Sequence, residues 1–238
     1  MNNKNITVET VKKLASADEL ELYSYVIDKA EEVSSEIVKN FQDADRDKGK
    51  TIIVEGPLSS GKTVVAMMIA TKLGKSVSIG CYQPYAKGRT DIKSDELYSR
   101  SGATFPSKLF KTKADVEELF HDNDLVILDE LHLVPQELQS YFISEMKRFR
   151  ERGGWTVMFS ILYNSQGDAF VFVDLCRLLA DKKYKLNATC QQCGLPNAEI
   201  GQRLINGKST SLSDPEYWNP SDEIVYEPRC QDCFVYNK

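Results

Sequence analysis

A short apolar run, Thr51-Ile52-Ile53-Val54, leads almost at once into Gly56-Pro57-Leu58-Ser59-Ser60-Gly61-Lys62-Thr63, and a stretch with helical patterning follows. No other feature of the chain restricts its fold so tightly. Gly56 and Gly61 suit a loop that bends sharply and presents backbone N–H groups to phosphate oxygens at a helix N-terminus, where the helix dipole favours anions. Within this candidate nucleotide-binding loop, Gly56 through Thr63, Lys62 would bridge the terminal phosphates and Thr63 would place its hydroxyl on magnesium. A strand, such a loop and a helix in that order predict a P-loop NTPase, an α/β fold with a parallel sheet and flanking helices.

The second element is Leu125-Val126-Ile127-Leu128-Asp129-Glu130, an apolar strand that ends in two carboxylates. Beside a phosphate loop, magnesium needs a second carboxylate, and phosphoryl transfer needs a group that accepts or orients a proton. Asp129 is the magnesium-side candidate with Thr63, and Glu130 the candidate general base. The competing structural reading is a pair of solvated acids at the start of the helix near Pro135. Asp129-Glu130-Leu131-His132 also matches the acidic box of DExH-type helicases, but those carry two such core domains and this chain has room for one. His132 is read as a local packing or hydrogen-bonding residue.

From Thr51 onward, short apolar runs alternate with amphipathic ones, as a parallel sheet with crossover helices requires. Strands are expected at 51–54, 76–82, 125–128 and 155–162. Helices are expected at 62–73, 113–121, 135–152 and 168–181. Residues 1–46 form a helical extension, with Ser16 as N-cap and a stripe through Tyr23, Val26, Ile27, Ala30, Val33, Ile37 and Phe41. That stripe suits either packing on the core or a partner. The α/β domain then covers 51–185 and a turn-rich C-terminal unit 186–238.

Of 238 residues, 42% are hydrophobic and 27% charged, the balance of an ordinary globular chain. No run approaches the roughly 20 apolar residues of a membrane span, and the polar start leads into no signal core, so the expectation is no membrane and a cytoplasmic location. A net charge of −5 argues against broad adhesion to nucleic acid. Four of the six cysteines form two Cys-x-x-Cys pairs, Cys190/Cys193 and Cys230/Cys233, with 36 residues between them. Four thiolates suit tetrahedral zinc, so one structural Zn2+ pinning both ends of a long loop is expected, with redox pairs as the alternative.

In this order of parts the sequence resembles the type II thymidine kinase family, a P-loop kinase core followed by a zinc-bound lasso. Gly56 to Thr63 correspond to the family's Gly-Pro-Met-Phe-Ser-Gly-Lys-Ser loop, and Asp129 to Val134 to its Asp-Glu-x-Gln-Phe-Phe box. Arg89, Arg203-Leu204 before the second knuckle, and Tyr226 four residues ahead of Cys230 also match. Leu133 stands where the family has its first phenylalanine after the acidic box, Ser59 replaces the loop phenylalanine, and Lys87 replaces an acid. The phosphate-handling residues are thus retained while base-recognition positions differ. The resemblance implies ATP with Mg2+, a nucleoside substrate, and a homo-oligomer, a tetramer in that family. It further implies charge stabilisation by Lys62 and Arg89 and substrate contacts from Tyr226, Arg203 and Leu133.

Two functions use these residues equally well. One is phosphorylation of a nucleoside or deoxynucleoside 5′-hydroxyl. The other is an ATPase in which Glu130 activates water and the lasso binds a protein or nucleic-acid partner. A subunit that binds nucleotide without turnover fits less well, since Lys62, Thr63, Asp129 and Glu130 are all present.

Overall fold

The computed structural model describes residues 17–45, 47–74, 77–84, 96–99, 103–210 and 224–235. Ser16, Ser76, Lys87 and Arg89 lie outside them. Helix α1 (Ala17–Gln42) is followed by strand β1 (Thr51–Glu55), α2 (Lys62–Leu73) and β2 (Ile79–Pro84). Short strands β3 (Glu96–Tyr98), β4 (Thr104–Pro106) and β5 (Lys108–Phe110) lead to α3 (Lys113–His121) and β6 (Leu125–Leu128). Then come α4 (Gln136–Glu151), β7 (Trp155–Ser160), α5 (Val171–Leu179) and β8 (Lys182–Lys185). The C-terminal part contributes β9 (Ile200–Ile205), β10 (Lys208–Ser209) and β11 (Ile224–Arg229).

Six strands form one sheet in the order β5-β2-β6-β7-β1-β8, every neighbouring pair parallel. Because side chains alternate between faces, a parallel sheet covered on both sides needs strands that are apolar throughout. The central strands meet that demand. Ile52 and Val54 join the core on one face while Ile53 joins the other, and Leu125 and Ile127 oppose Val126 and Leu128 in the same way. One face is covered by α1 and α2, the other by α3, α4 and α5.

Helix α2 explains why α1 belongs to this core. Its sequence is apolar around nearly the whole circumference, and Val64 through Ala70 are all buried. Such a helix needs cover on its outer side as well as from the sheet. That cover is α1, whose Ile27, Ala30, Val33, Ile37 and Phe41 share the cluster with Val65, Met68 and Trp155. Phe41 meets Trp155 edge to face at 5.3 Å. Lys72 Nζ donates to Glu31 Oε1 at 2.8 Å and to Ser34 Oγ at 2.9 Å along the same seam. The expected stripe from Val26 to Phe41 therefore packs inward, and the Tyr23 side chain lies outside the described residues. On the opposite face Phe142 touches Phe110, Phe120 and Phe172, with centroids 5.5 to 6.5 Å apart.

Several boundaries depart from expectation. The final core helix begins at Val171 rather than Asp168, because Asn164 Oδ1 accepts from the N–H groups of Gln166 and Asp168, both at 2.9 Å. That side-chain turn competes with helical hydrogen bonding. The strand expected to reach Leu162 ends at Ser160, and β2 runs to Pro84. Strand β8, Lys-Lys-Tyr-Lys, was not expected at all. It is an edge strand with only Tyr184 buried, so it shows no apolar run.

The C-terminal sheet is antiparallel, in the order β10-β9-β11. Asn206 and Gly207, at φ 50° and 74°, supply the two left-handed residues of the tight turn between β9 and β10. No helix among the described residues is long and apolar enough to cross a membrane.

Glu55 ends β1 directly before the glycine loop and is 7% exposed. Arg177 of α5 places Nε 2.7 Å from Glu55 Oε2 and donates from Nη1 to Asp174 Oδ1 at 2.9 Å. Removing the cation would leave a buried carboxylate unpaired. Arg177→Met is expected to cost about 3 kcal/mol in urea unfolding, the low end for a broken buried pair because the guanidinium is partly exposed. Glu55→Gln in the same background should recover most of the loss.

Candidate functional site

All six strands of the main sheet point the same way, so the loop after β1 and the acids after β6 emerge at one edge with only β7 between them. Thr63 Oγ1, in the first turn of α2, donates to Asp129 Oδ2 at 2.8 Å. Segments 66 residues apart in sequence thus meet through a single hydrogen bond. Lys62 Nζ, buried, donates to the carbonyls of Gly56 at 2.8 Å and Pro57 at 2.7 Å, which holds its ammonium against the loop backbone.

The loop's glycines are fixed by space and by torsion. A Cβ on Gly56 would stand 2.5 Å from Leu186 O and 2.6 Å from Ser60 Oγ. Gly61 takes φ 85°, and a Cβ there would come within 2.9 Å of Val26 Cγ1 on α1. Ser59 is also left-handed, at φ 61°. Successive turns of this kind aim N–H groups into a shared concavity suited to anions. Leu58 faces the C-terminal sheet: a Cβ on Gly201 of β9 would stand 3.4 Å from Leu58 Cδ1.

Asp129 is 3% exposed and takes a backbone hydrogen bond from Glu130, N to Oδ1 at 2.9 Å. Burial first, and then the neighbouring Glu130 charge, raise its carboxyl to about 6, against the pull of Thr63 and Lys62. A divalent cation would remove that conflict by compensating the buried negative charge. The carboxylate with the Thr63 hydroxyl is thus a donor set that fits magnesium, a hard ion that prefers oxygen.

Glu130 itself sits at φ 56°, a left-handed conformation uncommon for a residue with a side chain. It caps the 3-10 turn Leu131–Leu133, in which Leu133 N donates to Glu130 O at 2.9 Å. The turn brings His132 Nε2 to 3.5 Å from Glu130 Oε2. Leu133 is half-buried on the same turn.

Arg203 and Tyr226 face each other in register on β9 and β11. Arg203 is fully buried and its Nε donates to Thr210 Oγ1 at 3.3 Å, while Tyr226 is half-buried. Arg89 lies outside the described residues. Ser160, Glu55 and Arg177 escaped the sequence reading. The signal available for Glu55 was an acid closing an otherwise apolar strand, and for Ser160 a hydroxyl at the end of another.

The four cysteines converge, with all four sulfurs within 4.8 Å of one another. Cys193 Sγ and Cys230 Sγ are 3.9 Å apart, close to the edge of about 3.8 Å of a tetrahedron with zinc–sulfur bonds of about 2.3 Å. Each knuckle turns on its own backbone: Gly194 N donates to Cys190 O at 2.8 Å and Phe234 N to Cys230 O at 2.9 Å. Burial disfavours the Cys190 thiolate, but N–H groups of Cys230, Cys193 and Gln192 outweigh it and bring the thiol down to about 6. This cluster could bind a zinc ion.

A family model described as thymidine kinase matches residues 49–234. Among solved structures, the chain resembles a DNA replication initiation factor at 12% identity, with a TM-score of 0.45, over 78% of this chain and 50% of that one. It also resembles the replication initiator DnaA bound to AMPPCP and single-stranded DNA (13% identity, TM-score 0.42, 78% and 50% covered) and C. elegans PCH-2 (14%, 0.38, 69% and 43%). The chain spans about half the length of these solved chains.

Asp129 gives a testable sign. Its folded-state carboxyl is raised above the usual value near 4, so the folded protein binds the extra proton and loses stability as pH climbs toward about 6. Asp129→Asn should therefore raise Tm at pH 7.5 in metal-free buffer, by about 2–4 °C per kcal/mol relieved, with the gain vanishing near pH 3.5. Thermal melts across that pH range check it. For the thiols, elemental analysis is expected to find about one zinc per chain, and Cys230→Ser to lower both zinc content and Tm.

Proposed function

The chain belongs to the thymidine kinase family, and on that premise we propose that it transfers the γ-phosphoryl group of ATP to the 5′-hydroxyl of a nucleoside or deoxynucleoside. The family supports nucleoside kinase activity. The Thr63–Asp129 hydrogen bond, which joins the phosphate loop to the acid pair, supports phosphoryl chemistry at this edge, and the family match supports a nucleoside as the acceptor.

In this reading the N–H groups between Gly56 and Thr63 and the N-terminus of α2 receive the phosphates. Lys62 exchanges the Gly56 and Pro57 carbonyls for phosphate oxygens. Thr63 and Asp129 would hold the magnesium, whose charge would offset that of the transferring group. Glu130 accepts the proton of the attacking hydroxyl as the new oxygen–phosphorus bond forms and the β–γ bridging bond breaks. ADP and a nucleoside monophosphate result, and the proton leaves Glu130 for solvent. Arg89 is assigned to the transferring phosphoryl group by family resemblance.

The substrate's base falls to the lasso in this scheme, with Tyr226, Arg203 and Leu133 on its side. The contact of Gly201 with Leu58 supports it, since that contact brings the lasso sheet against the phosphate loop. An acceptor alcohol must be shielded from more abundant water, and a closed lasso would do so. Cys190, Cys193, Cys230 and Cys233 would hold the lasso's ends on one structural zinc. A domain division at 51–185 and 186–238, cytoplasmic residence and a homotetramer accompany the same reading.

The test is incubation with γ-labelled ATP, magnesium and a panel of nucleosides, separating monophosphates from free phosphate. Label on a nucleoside is the expected result. Free phosphate alone would replace the kinase reading with an ATPase. Glu130→Gln should lower turnover by about 10²- to 10⁴-fold while nucleotide affinity stays within a few-fold.

A further inference from the structure

We propose that His132 is a positioning residue for the general base: it holds the Glu130 carboxylate in its working direction from a buried seat on Ser160 and Phe170. This rests on the role given to Glu130 above and adds the means by which that side chain is aimed.

Glu130 begins from an awkward backbone. At φ 56° it departs from the conformation of the strand before it and of the turn after it, and such torsions persist only where surrounding contacts enforce them. A carboxylate launched from that position has several rotamers open to it, and a general base works in few of them. The 3-10 turn answers this by folding His132 back on the acid, with Nε2 3.5 Å from Glu130 Oε2. The imidazole side chain is 3% exposed and Glu130 is 25% exposed, so the histidine forms the inner wall and the acid keeps an open side.

The ring is held from two other directions. Its plane lies tilted against Phe170, with centroids 5.2 Å apart. Its Nδ1 lies 3.5 Å from Ser160 Oγ. Ser160 is the last residue of β7, two past Met158, which pairs with Leu128 of β6, so the strand register sets its hydroxyl under the turn. A carboxylate can only accept hydrogen bonds, so contact with Glu130 calls for hydrogen on Nε2. In that tautomer Nδ1 accepts from Ser160, whose hydroxyl also lies 2.8 Å from Ile161 O and can turn between the two. The result is a relay of fixed directions from strand β7 through the imidazole to the base.

The Ser160–His132 distance is that of a loose hydrogen bond and the His132–Glu130 distance that of a charge contact one short step from a hydrogen bond; catalytic contacts commonly tighten when substrate completes a site. Positioning of this kind acts on turnover rather than on nucleotide affinity, because Glu130 is assigned to the acceptor hydroxyl and not to the phosphates. It also predicts non-additivity: once Glu130 is neutralised, the histidine has nothing left to aim.

The experiment is a double-mutant cycle with a spectroscopic control. His132→Ala is expected to lower kcat about 10- to 100-fold with KM for ATP within about twofold, and His132→Gln, which retains an N–H donor, to recover to within about threefold of wild type. In the Glu130→Gln background His132→Ala should lower the residual rate by less than about twofold. An equal loss in both backgrounds, or a rise in KM for ATP matching the loss, would overturn the proposal. The chain has only two histidines, His121 and His132, so long-range proton–nitrogen correlation spectra resolve each ring. Wild type should show the Nε2–H form at His132, and Glu130→Gln should move the His132 nitrogens and leave those of His121 in place. Indifference of the His132 ring to Glu130→Gln would sink the idea without reference to activity. Should wild type release only free phosphate, the nucleoside reading fails while the cycle still tests His132 on that turnover.

Discussion

At the edge of the sheet that carries the phosphate loop, everything depends on one hydroxyl reaching one carboxylate across an intervening strand. Thr63 and Asp129 leave the sheet from β1 and β6, with β7 between them, and their 2.8 Å bond fixes how far the phosphate loop stands from the acid pair. Parallel orientation makes the meeting possible, since it delivers all the strand ends to one edge, where open α/β sheets place their ligands. The glycine loop, the left-handed Glu130 and the histidine behind it are arranged around that fixed separation.

The same edge concentrates buried charge. Glu55 and Asp129 are both almost fully enclosed, at the ends of strands that are otherwise apolar. Glu55 is balanced permanently by Arg177, so its role is to tie the entrance of the loop to α5. Among the described residues, Asp129 has a hydroxyl, a backbone N–H and the nearby Lys62 to support its charge, and burial with the Glu130 charge still raises its carboxyl. Two acids in similar burial thus differ in what supports them: one has a cation built into the chain beside it, and the other has a donor set that fits a divalent cation. A raised, buried carboxyl of this kind costs stability at neutral pH, a compromise common where a site serves a function.

What the sequence disclosed was the part encoded in short range. The glycine spacing from Gly56 to Gly61, the apolar strands, Asp129-Glu130 and the paired cysteines each carry their signal within a few residues, and the structure sets the loop beside Asp129 and gathers the four sulfurs. The helix spans at 62–73 and 113–121 are those found, because an apolar stretch directly after the phosphate loop and the amphipathic pattern of 113–121 are local signals. Strand β8 was hidden because an edge strand with three lysines carries no apolar pattern. The late start of α5 came from the Asn164 side chain competing for N–H groups, a choice visible only once the turn is formed. Ser160 acquired meaning through strand register, and Arg177 through a contact 122 residues distant in sequence. His132 was legible as a hydrogen-bonding residue, but its partners were not.

Helix α1 stands apart from the region matched by the family model, which begins at residue 49. It nonetheless lies along the outer side of α2, from Val26 beside Gly61 to Phe41 on Trp155. That side of the phosphate-loop helix is therefore occupied from within the same polypeptide. A second copy of this chain approaching from that side would meet α1 in place of the phosphate-loop helix.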